Sequence, residues 1–529
     1  MTQQTASTPK ASTLSYPLLA LFLLLSITLS LIWSHARLLW NDEFLSFYSD
    51  GVATFKQVFL VQLHHPISLD PPTYHLLSHF CMDLVGRNAI ALRLPALGGF
   101  LLFQLCLFFF VRRLAGDRSA IIAMAVPILT ASFRYSLEGR PYGLLLGLYA
   151  LSLLCWQIAS QNDSPTENIP RSRLLPLTGL TLSIALAITS HYFGILILIP
   201  VSLGELSRIL VRRRIDFGVL TALALGFASV ALILPFQRAL MVYRQHYYIK
   251  GVNIHDISQG YRELFIRYTT WPIPLQKLAA ATMVVLALTL TFAGYQRFKR
   301  RPTSERAYTW VALSAMALLP FFGYLFGRFV THTMEVRYVI AALIAFAATF
   351  GIVLERKLRS NNFYYATLAI ILAAAVAINT HYILQERRDS AAILASFQLT
   401  PEAAAALHQN PHELIYLQSL NDFYLDTYYD PDSTLRPRFS LLYGQPQEIY
   451  WLEHDTNYVT AVNMLSFAPL SITSYADFLK QPHPLVILNH SGWEWIDKQL
   501  DADHTPQQPL AACLRGQLIR VANQPIPAQ

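Results

Sequence analysis

The chain has 529 residues, of which 54% are hydrophobic and only 14% charged, with a net charge of +8 and a mean hydropathy of +0.37. Soluble globular proteins carry roughly 25% charge, so the composition excludes a soluble enzyme and points to a membrane protein. The basic residues form short clusters at the ends of apolar runs, which argues against nucleic-acid binding as the source of the charge.

Apolar runs of about 20 residues can cross a hydrocarbon core of ~30 Å. They fall at about 15–35, 91–111, 119–135, 141–160, 174–190, 193–211, 217–235, 276–295, 307–327, 337–354 and 362–380, predicting about eleven transmembrane helices. The first run is too long for a signal peptide and lacks a small-residue cleavage site. Alternate loops carry Arg112, Arg113 and Arg118; Arg171 and Arg173; Arg212 to Arg214; Arg297, Lys299, Arg300, Arg301 and Arg306; and Arg356, Lys357 and Arg359. Cytoplasmic loops are enriched in such residues, which predicts a cytoplasmic amino terminus and an extracytoplasmic carboxyl-terminal tail. Among the four cysteines, Cys81 and Cys513 fall in exported segments, and their spacing demands no disulfide.

The outer loops hold the candidate chemistry. Trp40-Asn41-Asp42-Glu43 follows the first span directly, so two adjacent carboxylates lie within about two helical turns of the membrane surface. A solvated acid pair in a linker is the plain alternative. Val58-Phe59-Leu60-Val61 suits an interfacial segment. His64 and His65 read as metal ligands or as interfacial polar residues. In Asp70-Pro71-Pro72-Thr73-Tyr74 the prolines bar Asp70 from a helix and start one near Thr73. Asp70 is then either a cap or a functional acid.

Arg87 and Arg93 enter the second span, Arg93 more deeply. The next outer turn packs Arg134, Glu138, Arg140 and Tyr142 between two apolar spans, with a Glu138–Arg140 or Glu138–Arg134 ion pair as the plain account. Charges at membrane depth are costly and tend to face partners or a cavity. His191 and Tyr192 sit between two further spans. Loop 236–275 interleaves Arg244, His246, Tyr247, Tyr248, Lys250, Tyr261, Arg262, Arg267, Tyr268 and Trp271, and the last outer turn supplies Arg328, Arg337 and Tyr338.

The tail from about 381 to 529 is less apolar. Short strands are predicted at 414–417, 449–452, 484–488 and 518–521, alternating with helices at about 401–408, 473–480 and 493–500. That pattern gives a small extracytoplasmic α/β domain, separate from the membrane domain at 1–380. His454-Asp455 and Trp493-Glu494-Trp495 are its candidate sugar contacts.

Asp42, Glu43 and Glu138 thus share one membrane face with Arg93, Arg140, Arg328 and Arg337. Carboxylates beside a hydroxyl act as general bases, and arginines at headgroup level clamp phosphate. The residues therefore point to an anionic amphiphile handled from the outer side.

The series Asp42-Glu43, Pro71-Pro72-Thr73-Tyr74, Arg93-Leu94-Pro95, Glu138-Gly139-Arg140-Pro141-Tyr142, His191-Tyr192-Phe193-Gly194 and Arg337-Tyr338 resembles the GT-C membrane glycosyltransferases. The branch it resembles holds the protein O-mannosyltransferases and lipid A aminoarabinose transferases, over residues 15–380. The resemblance implies transfer of a sugar from a polyprenyl-phosphate carrier to a lipid, glycan or protein acceptor outside the cytoplasm, in a bacterial inner membrane, with inversion and no nucleotide sugar. It makes Asp42 the catalytic base, Glu43 its partner and Glu138 the second-loop acid. Arg140 and Arg337 would hold the carrier phosphate. Arg93, Tyr142, His191, Tyr192, Arg328, Tyr338, Asp70 and Tyr74 join them as substrate-binding candidates. The departure is at Asp70, where relatives often have histidine or lysine. A divalent metal is left open, with Asp42, Glu138 and His65 as candidate ligands. The alternative function is a transporter or flippase of a lipid-linked sugar. It has less use for the Asp42-Glu43 pair, and no internal repeat supports it.

Overall fold

A computed structural model describes residues 14–161, 171–243, 251–266, 272–300, 305–358, 360–396, 399–409, 411–488, 494–513 and 516–523. Arg244, His246, Tyr247, Tyr248, Lys250, Arg267, Tyr268, Trp271, Arg301, Arg359 and Trp493 lie outside the described residues.

The predicted apolar runs are mostly helical, but fewer than the expected eleven form a membrane-length helix among the described residues. In order the helices are α1 (Ser15–Ala36), α2 (Asn41–Asp50), α3 (Phe55–His64), α4 (Pro72–Val85), α5 (Ala89–Ala115), α6 (Asp117–Ala125), α7 (Tyr142–Gln161), α8 (Arg171–Ser190), α9 (Leu198–Arg212), α10 (Phe217–Ala228), α11 (Val230–Ala239), α12 (His255–Phe265), α13 (Ile273–Arg300), α14 (Glu305–Ala317), α15 (Leu319–Phe326), α16 (Ala342–Lys357) and α17 (Asn361–Ser396). Among the described residues, seven helices are long and apolar enough to cross a membrane, or eight when α14 and α15, bent by 53° at their junction, count as one. The protein is an integral membrane protein. The run at 119–135 is not one helix: α6 stops at Ala125 and two 3-10 turns, Val126–Leu129 and Ala131–Ser136, complete it. Pro127 has no N–H to continue the α-helical ladder.

The basic loops meet on one face. Arg112 pairs with Asp117 at 2.7 Å, Ser15 donates to Asp117 at 2.6 Å, and Arg118 reaches Glu355 at 3.6 Å and Asn361 at 3.3 Å. At the opposite face, Trp33 near the end of α1 stacks on Tyr382 of α17 at 5.8 Å, and Arg37 approaches Glu386 at 3.9 Å. Between the faces, α5 and α7 pack backbone to backbone at Gly99, Gly143 and Gly147, where an added Cβ would strike the facing main chain. Small residues are what allow membrane helices to approach so closely.

After α17 the chain forms a six-stranded sheet of β1 (Ile415–Leu417), β2 (Phe439–Tyr443), β3 (Ser471–Ser474), β4 (Leu485–Leu488), β5 (Gln507–Cys513) and β6 (Gly516–Val521), in the order 3-2-1-4-6-5. Strands β3, β2, β1 and β4 are parallel, and β6 is antiparallel to both β4 and β5. The strand expected at 449–452 is instead the end of a helix, Gln445–Leu452, with Pro446 in its first turn. The domain shares one apolar core with the first outer loop, joining Leu39, Phe44 and Ile67 to Tyr424, Phe439 and Leu417. Phe44 stacks on Tyr424 at 5.2 Å, and the Leu39 N–H donates to the Tyr429 hydroxyl at 2.9 Å. The tail and the loop therefore occupy the same side of the membrane.

Candidate active site

Glu43 organises the membrane face. It stands at the third position of α2, where its carboxylate accepts the Trp40 N–H at 3.4 Å; reaching back in this way is half of a capping box. It is fully buried. Arg93 meets it with two parallel bonds, Nε to Oε1 at 2.8 Å and Nη2 to Oε2 at 2.7 Å, and the Gly139 N–H donates to Oε1 at 2.6 Å. The remaining Arg93 hydrogens go to the carbonyls of Ser34 (2.7 Å), Arg37 (3.2 Å) and Leu38 (3.0 Å). Burial pushes the Glu43 carboxyl up, but the Arg93 and Arg37 charges outweigh it and hold the pKa below its ordinary value. The pair thus fastens the end of α1, the start of α2, α5 and the 138–140 turn together.

This geometry corrects two expectations. Arg93 has its guanidinium fully engaged at 2% exposure, so it is not placed to clamp a phosphate. Tyr74 is fully buried and donates to the Leu92 carbonyl at 3.1 Å. Glu43, expected as the partner of Asp42, is enclosed with Arg93, Trp40 and Gly139.

Asp42, one residue before Glu43, is half-buried and pairs with Arg337 across 3.3 Å. The Arg337 guanidinium lies 5.5 Å from the ring centres of both Trp40 and Tyr142, a cation between two aromatic faces. Arg140 pairs with Asp70 at 2.6 Å and donates to Ser68 Oγ at 2.8 Å. Asp70 therefore does not cap α4, whose preceding residue is Pro71. His191, in the turn between two spans, accepts the Phe193 N–H on Nδ1 at 3.1 Å. That bond assigns its proton to Nε2, which points to Asp70 at 3.6 Å. Burial lowers the His191 pKa to about 4, so the ring is neutral at pH 7. Tyr338 packs on His191 at 4.6 Å, and Tyr142 on His191 at 5.7 Å.

Glu138 is buried and makes neither of the ion pairs expected for it; Arg140 faces Asp70, and Arg134 donates to the Tyr135 hydroxyl at 2.8 Å. Among the described residues, Trp40 Nε1, Asn41 Oδ1, Glu138 Oε1, Arg140 Nε, Tyr192 Oη and Arg337 Nε are buried without a hydrogen-bond partner. Leaving such groups unmatched is expensive, and a polar ligand with negative charge would satisfy the arginine and indole donors among them. Arg328 is exposed on the turn Gly327–Thr331 and makes no ion pair among the described residues. Asp42, Glu138 and His65 do not assemble as metal ligands: no group of three His, Cys, Asp or Glu among the described residues is placed to hold an ion. Ser46, which accepts from Arg140 at 3.4 Å, Ser68 and Trp40 were not anticipated as partners of the two arginines. Only Trp40, an aromatic beside the acid pair, carried a signal.

No protein-family model and no curated protein matches the sequence. Solved structures do match. ArnT from Cupriavidus metallidurans in the apo state covers 98% of this chain and 100% of its own, at 15% identity and a TM-score of 0.55. The same protein bound to undecaprenyl phosphate gives the same coverage and identity, with a TM-score of 0.56. The chain shares the fold of these ArnT structures. At this level of identity the likeness gives architecture alone, and the chemistry must be argued from the site.

Proposed function

We propose that this protein is a membrane glycosyltransferase that takes a sugar from a polyprenyl-phosphate carrier and passes it to an acceptor hydroxyl on the extracytoplasmic face of a bacterial inner membrane. The observation that carries the reading is the pair Asp42–Arg337 at the mouth of the site, beside Arg140 and among buried polar atoms that lack partners. Arg337 and Arg140 take the carrier phosphate, whose polyprenyl tail stays in the bilayer. ArnT, which has this fold, has been seen with undecaprenyl phosphate bound.

The acceptor oxygen attacks the anomeric carbon opposite the phosphate. The bond from that carbon to the phosphate oxygen breaks, and its electron pair leaves with the phosphate. Asp42 receives the hydroxyl proton. Charge grows on the departing oxygens, so fixed guanidinium groups there lower the barrier. The phosphate also competes for Arg337, which leaves the Asp42 carboxylate free to act as base. Tyr142, His191, Tyr192 and Tyr338 line the sugar, and Glu138 orients the acceptor.

Native mass spectrometry of the full-length protein beside Arg337→Ala tests the reading. A polyprenyl phosphate, bare or glycosylated, should co-purify with the wild type and be lost in the variant. Equal amounts of bulk phospholipid and no carrier in both samples refute it.

A further inference from the structure

The segment from Pro66 to Asp70 supplies Ser68 and Asp70, the two closest partners of Arg140; Ser46 Oγ of α2 is a third, at 3.4 Å. This strap is anchored at its start by a single carbonyl. Pro66 O accepts the Tyr243 hydroxyl at 2.9 Å and the Asn463 Nδ2 at 3.0 Å. Tyr243 ends the long span that begins at Phe217, whereas Asn463 lies on the helix Thr456–Met464 of the carboxyl-terminal domain. Thr460, one turn before Asn463, meets the same Tyr243 hydroxyl at 3.4 Å. Ile67, the next residue of the strap, is 2% exposed and belongs to the apolar core shared with the domain. At the other end, Pro71 and Pro72 fix the backbone after Asp70. The strap is therefore pinned by the domain at one end and by prolines at the other, with the Arg140 partners between them.

We infer that Asn463 and Tyr243 are positioning residues of the donor site, through which the carboxyl-terminal domain sets where Ser68 and Asp70 hold Arg140. This rests on the carrier reading proposed above. It gives the domain a role in binding that a mere cover would not have. A shift of the strap by a fraction of an ångström moves Asp70 relative to both Arg140 and His191, the two groups it bridges.

The test uses the full-length protein in lipid nanodiscs, with undecaprenyl phosphate as probe. The variants are Asn463→Leu and Tyr243→Phe, with Leu500→Ala as control. Leu500 is fully buried in the separate apolar cluster on the far side of the sheet, so it loosens the domain without touching the strap. Two quantities are read: amide hydrogen exchange of Ile67–Asp70, and lipid affinity by titration. Loss of one hydrogen bond to a buried carbonyl should raise strap exchange and weaken binding about 5- to 10-fold in Asn463→Leu. Leu500→Ala should lower the melting temperature and leave both quantities unchanged. Unchanged strap exchange in Asn463→Leu and Tyr243→Phe overturns the inference, as does faster exchange with unaltered affinity. Equal effects in Leu500→Ala reduce the hold of Tyr243 and Asn463 on the strap to ordinary domain stability and overturn the inference too. A wild type that binds no undecaprenyl phosphate overturns the carrier reading and the donor-site role with it; strap exchange then decides only whether Tyr243 and Asn463 hold the strap.

Discussion

Removing either member of the Glu43–Arg93 pair separates architecture from chemistry at this site. In Arg93→Met the side-chain volume is roughly kept, but Glu43 remains fully buried with the Trp40 and Gly139 N–H groups and the Arg37 charge to hold it. Two charge-assisted bonds disappear, each worth about 1.5–3 kcal/mol, and an unpaired buried carboxylate is left behind. Stranding one member of a buried pair typically costs about 3–5 kcal/mol. The carbonyls of Ser34, Arg37 and Leu38 also lose their donor, so the upper part of that range is expected. The double variant Glu43→Met, Arg93→Met removes both charges. It should recover at least half of the loss, because a well-packed apolar pair often replaces a buried ion pair at little cost. Melting temperatures of the four proteins in detergent give this cycle, and undecaprenyl phosphate titration on the same samples gives the second readout. Arg93→Met melting like the wild type while losing the lipid refutes the reasoning and returns Arg93 to the phosphate site. Additive losses in the double variant refute the pairing term itself.

Asp42→Asn should keep carrier binding at or above the wild-type level and lower turnover by about 10²–10⁴-fold, read as sugar transfer in membranes; turnover near the native rate removes Asp42 from the base role. Gly143→Val should cost about 1–3 kcal/mol of stability through overpacking, read as a lower melting temperature, because its side chain would strike the carbonyls of Ala96 and Tyr135; a normally stable variant shows that α5 and α7 can separate freely. Glu448 in the carboxyl-terminal domain is almost fully buried, which pushes its pKa up to about 8. Between about pH 4.5 and 8 the unfolded chain has released this proton and the folded domain has not, so its contribution to stability falls as pH rises, by at most about 1.4 kcal/mol per unit. Glu448→Gln can still accept the Tyr458 N–H, as Glu448 does at 2.9 Å; melting curves from pH 5 to 8.5 should show a shallower fall than the wild type, and parallel curves contradict the assignment.

How far the sequence could be read depended on what each residue's neighbours were. The spans were legible because about 20 apolar residues in a row have few other uses, and Asp42, Arg140 and Arg337 stood out because charges at membrane depth are rare. Arg93 obeyed the same rule and was misread, since depth shows that a charge needs a partner but not whether the partner is a ligand or Glu43. The acid that would answer it is 50 positions away. Pro66, Ser68 and Asn463 carry no signal at all: a carbonyl, a hydroxyl and an amide become partners only when a loop, a span and a distant domain meet. In the tail, Ile449-Tyr450-Trp451-Leu452 has the composition of a strand, yet Gly444-Gln445-Pro446 before it starts a helix. The helix-start signal outweighed β propensity, which depends on context.

The acid pair after the first span also shows why neighbouring residues need not share a task. Successive side chains on a helix point about 100° apart, so α2 cannot turn both Asp42 and Glu43 to the same surroundings. Glu43 takes the inner direction, at 0% side-chain exposure against Arg93 at 2%; Asp42 takes the outer one, at 17% against Arg337 at 21%. A guanidinium enclosed on all sides has nowhere to go, and its pair is a fixed joint. A partly exposed pair between two aromatic rings is weakly held by comparison, and a phosphate can compete for its arginine. The first pair therefore aligns the second, so under the proposed function substitution at Glu43 or Arg93 should lower turnover without either residue touching substrate.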